Sequence, residues 1–281
     1  MSTYLVLGAS GTVASELSRL LEAAGHVVRR GTSKEAGAGQ VHIDLANGTG
    51  IDAAFSGVDG AFLFAPPGYV NHDELLAPAF AAARRAGVRK VVMMSAMGAD
   101  ANAEAPLRKA ELALEQSGLA WNVIRPNWFM QNFHTFWLHG ITTQNAILLP
   151  VGTAKTSFID ARDIAAVASS LLQRTDLENQ AFDLTGAEPL DHDEVAVHLT
   201  RALGRPIRYQ EVTPDDMRTI LLGAGVPADY AEFLLMILSF LKLGYSARTT
   251  EHVQAITGQA PRTFAQYAAD FRSAYPVPTA V

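Results

Sequence analysis

The residues best suited to chemistry stand at the start of the chain, where Tyr4-Leu5-Val6-Leu7-Gly8-Ala9-Ser10-Gly11-Thr12-Val13-Ala14 carries an apolar run into Gly-x-x-Gly-x-x-Ala. That spacing predicts a strand, a tight turn and a helix whose N-terminus faces the turn. Small residues at 8 and 11 let backbone N–H groups approach a pyrophosphate, the helix end adds partial positive charge, and Ala14 keeps the helix close to the strand. A dinucleotide site is therefore expected, with Gly8, Ser10, Gly11, Thr12 and Val13 around the phosphates. The second strand should end in Arg29-Arg30-Gly31-Thr32-Ser33-Lys34, with no carboxylate before Glu35. A site that prefers NAD places an acid here for the ribose 2′-OH; cations and hydroxyls suit a 2′-phosphate. NADP (NADPH) is thus the expected cofactor, with Arg30, Thr32 and Ser33 touching the phosphate. Asp44, past the third strand, is placed to accept from the adenine amino group or simply to cap a turn. Ala65-Pro66-Pro67-Gly68 reads as an extended loop running beneath the adenosine ribose and the nicotinamide side.

The elements that must position these residues follow from the hydrophobic pattern. Leu17, Leu20 and Leu21 recur at helical spacing from Ala14 to Ala24, and strand-like runs follow at 26–30, 41–43, 60–64, 90–94 and 120–124. Helical patterns separate the later runs at about 73–86 and 104–117. Continuous apolar strands alternating with helices imply an α/β fold, a doubly wound parallel (Rossmann) sheet with all strand C-termini on one edge. Beyond Asn127 the alternation breaks down. A helix at about 163–172 and a strand at 181–184 are followed by mostly helical sequence to Phe271. The expected organisation is a nucleotide-binding domain over 1–150, its sheet completed by segments within 155–190, and an interleaved helix-rich substrate or lid subdomain over 190–275. Asp191 or Asp193 should cap a helix at 193–203, and Pro214 and Pro227 should open the next two. The stretch Tyr230 to Leu243 is apolar on nearly every side, so it is expected to be buried as the lid core, lining the pocket. Pro276 to Val281 reads as a loose tail.

Composition narrows the function classes. The chain has 281 residues, 49% hydrophobic and 18% charged, enough to bury a sizeable core. A net charge of -6 and the absence of any basic cluster beyond Arg29-Arg30 argue against a nucleic-acid partner. There is no cysteine, hence no disulfide, thiolate zinc site or thiol nucleophile. The first strand begins within about three residues, leaving no room for a signal peptide, and the run 233–243 falls well short of the roughly 20 residues that span a bilayer. A cytoplasmic protein is expected, a monomer or homodimer with a small-molecule substrate and no membrane. His134 and His139 are five apart, the wrong spacing for a metal pair on a helix, and His192 and His198 read as residues of a surface helix; no metal is expected. Neither Ser10 nor Ser95 has a His or Asp partner nearby for a hydrolase triad.

Several segments together resemble one family. They are the opening motif; Ser95-Ala96-Met97-Gly98-Ala99; Leu107-Arg108-Lys109-Ala110-Glu111; Ser117 to Pro126, ending Val123-Ile124-Arg125-Pro126; Phe158-Ile159-Asp160-Ala161-Arg162-Asp163; and Thr257-Gly258-x-x-Pro261-Arg262-Thr263-Phe264. Over nearly its whole length the chain resembles the NmrA-like branch of atypical short-chain dehydrogenases, most of all the NADPH-dependent quinone oxidoreductases and triphenylmethane reductases. The resemblance implies that Ser95, Ala96 and Pro126 line the cofactor and that Lys109 holds the lysine position of the usual Tyr-x-x-x-Lys pair. Ala105 occupies the tyrosine position and Met97 that of the catalytic Ser or Thr, so both proton-handling groups of carbonyl reduction are missing. A positioned general acid is worth about 10²–10⁴-fold. The implied acceptor is one that needs none: a quinone, an iminium or a triarylmethyl cation. Lys109 would serve as a point charge near the nicotinamide ribose or product oxyanion. Met97 and the aromatic segment Asn127-Trp128-Phe129-Met130-Gln131-Asn132-Phe133-His134 are candidates for substrate contact, with Trp128, Phe129 and Asn132 foremost, although such a cluster serves equally as core. The branch also includes redox-sensing regulators, so a dinucleotide sensor without turnover is the alternative.

Overall fold

The computed structural model describes residues 1–276 apart from Ala9; of the expected tail, 277–281 lie outside the described residues. The chain divides into two compact units. Met1–Pro126, Ala161–Leu184 and His252–Gln259 form the first; Asn127–Asp160, Thr185–Glu251 and the described residues 260–276 form the second. The chain leaves the first unit at Pro126, earlier than the expected 150, because Met130, Phe133, Ile141 and Ile147 pack into the core of the second.

In the first unit seven strands form one parallel sheet in the order β3-β2-β1-β4-β5-β6-β8. They are β1 (Thr3–Leu7), β2 (Val27–Thr32), β3 (Gln40–His42), β4 (Gly60–Phe64), β5 (Lys90–Met94), β6 (Ala120–Pro126) and β8 (Gln180–Leu184). Both faces are covered. Leu5, Leu63, Val91, Met93 and Val123 pack against Phe55, Leu76, Phe80, Ala110 and Leu114, which come from α2 (Ile51–Phe55), α3 (His72–Arg85) and α4 (Pro106–Glu115). The alternate residues Val6, Phe62, Val92 and Ile124 are equally buried, on the side where α1 (Thr12–Ala23) and α6 (Ala161–Gln173) pack on each other. Two buried faces explain why these strands read as unbroken apolar runs, each such side chain contributing about 1.5–3 kcal/mol. The short α10 (His252–Thr257) packs on α6.

The second unit holds a two-stranded parallel sheet, β7 (Ala146–Leu149) with β9 (Arg208–Glu211), and helices α5 (Leu138–Thr143), α7 (His192–Leu203), α8 (Pro214–Gly223), α9 (Ala228–Lys242) and α11 (Phe264–Asp270). Its core is aromatic: Phe133 meets Trp137, Phe158 and Phe264 edge-on at 4.8, 5.2 and 5.2 Å. Asp191 caps α7 in a capping box with Glu194, and Pro214 and Pro227 open α8 and α9 as expected.

Two expectations fail here. His192 is not on the surface; it is fully buried among the rings of Tyr209, Phe158, Phe133 and Trp137 at 5.3–6.3 Å. And α9 is buried only along Ala231, Leu238 and Leu241. An apolar composition fixes what a helix can bury, and its neighbours decide how much it does.

Candidate dinucleotide-binding site

The turn after β1 is built as the glycines require. Gly8 has φ +73° in the left-handed region, and a Cβ there would stand 2.5 Å from the Phe64 ring of β4. Gly11 donates its N–H to the Gly8 carbonyl at 2.7 Å, closing the turn. It is also the N-cap of α1, with no side-chain cap and no acid in the first turn. α7, α8 and α11, by contrast, are each closed by a capping box. Among the described residues no side chain caps the first-turn N–H groups of Thr12 and Val13, so they can face an anion. Ser10 and Thr12 are exposed at this end and Val13 is buried.

The other cofactor candidates lie along the same C-terminal edge of the sheet. Arg30, Thr32 and Ser33 close β2, none of them buried, and Ser33 begins an exposed stretch running to Gln40. The Arg30 guanidinium meets Glu22 of α1 at 2.7 Å in an exposed pair, which an incoming phosphate would have to share or displace. Thr32 Oγ1 accepts from the Lys34 N–H. Arg29 takes no part: it donates to the carbonyls of Ala54 and Ser56 and ties off the end of α2. Asp44 does hold a turn, accepting from Ala46 N at 2.8 Å and Asn47 Nδ2 at 2.9 Å; each oxygen retains a second lone pair for an amino group. Ala65 and Pro66 are half-buried after β4 and Pro67 is exposed.

Past β5, Ser95 is buried, and Ala96 and Met97 are half-buried. Ser95 N donates to Ile124 O and Met97 N to Pro126 O, so the backbone pairing of β5 and β6 runs on past Met94 and fixes this segment against buried Pro126. Below it lies a charge cluster that reading along the sequence missed. Glu111 of α4 is fully buried and accepts two hydrogen bonds from Arg125, at 3.0 and 2.6 Å, and one from Arg108 at 2.9 Å. Arg125 Nη1 also donates to Asp100 at 2.7 Å. Burial works to raise the Glu111 carboxyl, but Arg125, with Ser95 and Arg108, outweighs it and keeps the group below its ordinary value. Both partners stood in the resembling segments; nothing in their spacing of 14 said that they meet.

Ala105 is the N-cap of α4 and Lys109 lies one turn on. The Lys109 side chain is 45% exposed and pairs with Glu104 at 3.0 Å; that partner raises its pKa. In the second unit Met130 and Phe133 belong to the core, whereas Trp128, Phe129 and Asn132 are half-buried. The run is therefore divided between packing and partial exposure. Asn127 secures it, its Nδ2 donating to the carbonyl of Ser246 at 2.8 Å and to Ser157 Oγ at 2.8 Å. Among the described residues no group of three or more His, Asp or Glu could hold a metal, and no helix is long and apolar enough to cross a membrane.

Comparison with known proteins follows the same lines. The sequence model of the NmrA-like family matches residues 1–267. The NAD(P)H azoreductase of Xenophilus azovorans is 33% identical over 291 residues, spanning 96% of this chain and 98% of that protein. The triphenylmethane reductase of Citrobacter sp., solved with NADP(H), superposes with a TM-score of 0.80 at 21% identity, covering 95% of this chain and 99% of its own. The NADPH-dependent quinone oxidoreductase of Escherichia coli, solved with NADPH, gives a TM-score of 0.81 at 19% identity with the same coverage. At those identities the likeness to the two structures is one of fold.

Proposed function

The chain belongs to the NmrA-like family, and from that premise we propose that it is an NADPH-dependent oxidoreductase that delivers hydride to a flat, conjugated electrophile such as a quinone. The observation that carries this reading is the uncapped start of α1 over the Gly8 turn, beside a second strand that ends in Arg30, Thr32 and Ser33 without a carboxylate. In this reading the N–H groups of Thr12 and Val13 hold the pyrophosphate, Arg30, Thr32 and Ser33 take the 2′-phosphate, and Asp44 takes the adenine. Ala65, Pro66 and Pro67 border the ribose; Ser95, Ala96 and Pro126 form the wall for the ring. The bound nicotinamide supplies a hydride; the chain supplies position and charge. With Ala105 and Met97 where a proton donor would stand, the acceptor must yield a stabilised anion or neutral product that takes its proton from water. Lys109 is the charge nearest this role by position, and Met97, Trp128, Phe129 and Asn132 are the proposed substrate contacts. The azo, triphenylmethane and quinone acceptors for which the relatives are named belong to the same chemical class.

The test is NADPH oxidation against quinones, triarylmethyl cations, azo compounds and ketones. Turnover of the conjugated acceptors with inert ketones is expected. Tight NADPH binding without turnover on any acceptor would refute the reductase and leave the sensor reading. Fluorescence titration of Arg30→Ala should show NADPH binding weakened about tenfold, the ~1.4 kcal/mol of one charge-assisted contact, with NADH unchanged; an unaltered preference would show the phosphate contacts misassigned.

A further inference from the structure

Three consecutive residues at the end of β6 hold the loop that follows β5. Ile124 O accepts from Ser95 N at 2.8 Å and Pro126 O from Met97 N at 3.0 Å. Between them, Arg125 reaches the same loop through its side chain, Nη1 donating to Asp100 Oδ2 at 2.7 Å. Asp100 lies in the 3-10 turn Ala99–Ala101, which Gly98 opens at φ +88°, so the loop doubles back and returns its carboxylate to the strand. Beyond Met97 the backbone bonds run within the loop, from Ala99 N to Ala96 O and from Ala101 N to Gly98 O, both at 3.1 Å. The contact between Asp100 and Arg125 ties that far end back to the sheet.

The guanidinium is itself held in place. Its Nε and Nη2 donate to the fully buried Glu111 of α4 at 3.0 and 2.6 Å, and Arg108 donates to the same carboxylate at 2.9 Å. Nη1 is thereby aimed at Asp100, while Asp183 of β8, the register partner of Arg125, stands 3.9 Å away. A planar fork can serve two carboxylates in fixed directions; the point charge of a lysine could not. The Arg125 side chain is 10% exposed and that of Asp100 47%, so the contact has a buried anchor and a solvent-facing end.

We infer that Arg125, oriented by Glu111 and joined to Asp100, is a positioning residue that sets where residues 95–97 stand against the nicotinamide ring. The inference rests on the proposed dinucleotide reading and adds to it the group that holds the wall. A buried ion pair contributes little net stability over apolar packing of the same volume; here it contributes a fixed separation between loop and strand. Hydride transfer is sensitive to that separation, since a misplacement of about 1 Å can cost on the order of 100-fold in rate. The phosphates and adenosine are assigned to the Gly8 turn and the end of β2, so loosening the loop should act on the ring and spare overall affinity.

Asp100→Ala tests this, because it releases the loop and leaves the pair of Arg125 with Glu111 intact. The melting temperature should barely move, since a half-exposed contact adds little stability. NADPH should bind within about threefold of the wild-type affinity, but the emission of the bound reduced nicotinamide should lose anisotropy as the ring gains freedom. With menadione as acceptor, kcat should fall about 10- to 100-fold at a nearly unchanged KM for NADPH. Asp100→Asn keeps an acceptor oxygen for Nη1 and should restore most of the anisotropy and the rate. Asp176→Ala breaks a similarly short exposed pair with Arg174, beside the start of β5, and should alter neither. Wild-type anisotropy in Asp100→Ala, a loss that Asp100→Asn does not recover, or one that Asp176→Ala reproduces overturns the inference and leaves the dinucleotide reading standing. A wild type that binds NADPH without turnover refutes the reductase, and the anisotropy still decides the role of Arg125. A wild type that binds no NADPH overturns both.

Discussion

His192 is the sharpest test of how the second unit is built. Both its ring nitrogens are buried without a hydrogen-bond partner among the described residues, and burial pushes its pKa from 6.5 to about 4. A proton on the unfolded chain therefore binds at a pH where the folded chain still refuses it. Between pH 6.5 and 4 the unfolded state holds the extra proton, so stability falls as pH falls, by about 1.4 kcal/mol per unit. Over the window of 2.5 units this sums to about 3 kcal/mol, complete once pH is below 4. His192→Leu keeps the volume and removes the titration. The difference in unfolding free energy between variant and wild type, from urea melts at several pH values, should widen in favour of the variant by about 3 kcal/mol on going from pH 7.5 to pH 4. Comparing the two proteins cancels the remaining groups, including His72 and His134, which burial also lowers. Above pH 7 the variant should already match or exceed the wild type, since an unsatisfied buried polar group costs about 1–3 kcal/mol. A difference that does not change with pH would show that the imidazole has a partner or a path to water.

Three further outcomes are expected. Gly8→Ala forces a Cβ into the Phe64 ring at a left-handed residue, so NADPH binding should fall at least tenfold, and thermal stability by the ~1–2 kcal/mol of the strained conformation; binding titration and a melt decide both. Lys109→Ala should lower turnover about 10- to 1000-fold without loss of fold; because Glu104 raises the lysine, steady-state profiles should show no lysine limb below pH 10. Glu111→Ala leaves Arg125 buried with Asp100 at 2.7 Å and Asp183 at 3.9 Å as its remaining carboxylate partners, so unfolding in urea should show a loss near the lower end of the 3–5 kcal/mol typical of a broken buried pair. In the wild type the depressed Glu111 pKa means that its contribution is present at neutral pH and is lost as pH falls below the ordinary carboxylate range.

The sheet was legible because its strands are buried on both faces: Gly60–Phe64 and Lys90–Met94 match their expected limits to the residue. Helix starts were legible where a side chain makes the cap, as at Asp191, or where a proline stands at the first helical position, as at Pro214. What sequence pattern could not supply was partnership across distance. β9 reads Arg-Tyr-Gln-Glu, which carries no apolar signal and is a strand only because β7 pairs with it. His192 is enclosed by rings from positions 133, 137, 158 and 209, which no local period relates. α9 shows the reverse error, since its apolarity was visible and the exposure of Met236 and Phe240 on its outer side was not. For the cofactor candidates the turn chemistry at Gly8 and Gly11 was readable, while the competing pairs Arg30–Glu22 and Lys109–Glu104 were not.

The way the two units share the chain sets the order in which they can be made. The polypeptide crosses between them after Pro126, Asp160, Leu184, Glu251 and Gln259. On a ribosome delivering about 5–20 residues per second, β6 would wait on the order of 3–10 seconds for β8, its neighbour in the sheet. During that interval one edge of β6 has no partner, and the Asn122 amide, which in the finished protein donates to Leu177 O at 2.6 Å and Gln180 O at 3.1 Å, has neither acceptor. An open parallel edge in a nascent chain is a template for mispairing. When β8 pairs, the outer position of the sheet passes to it and β6 is covered on both sides; synthesis is therefore the interval in which β6 itself is open, and a fragment stopped at residue 126 keeps it open permanently.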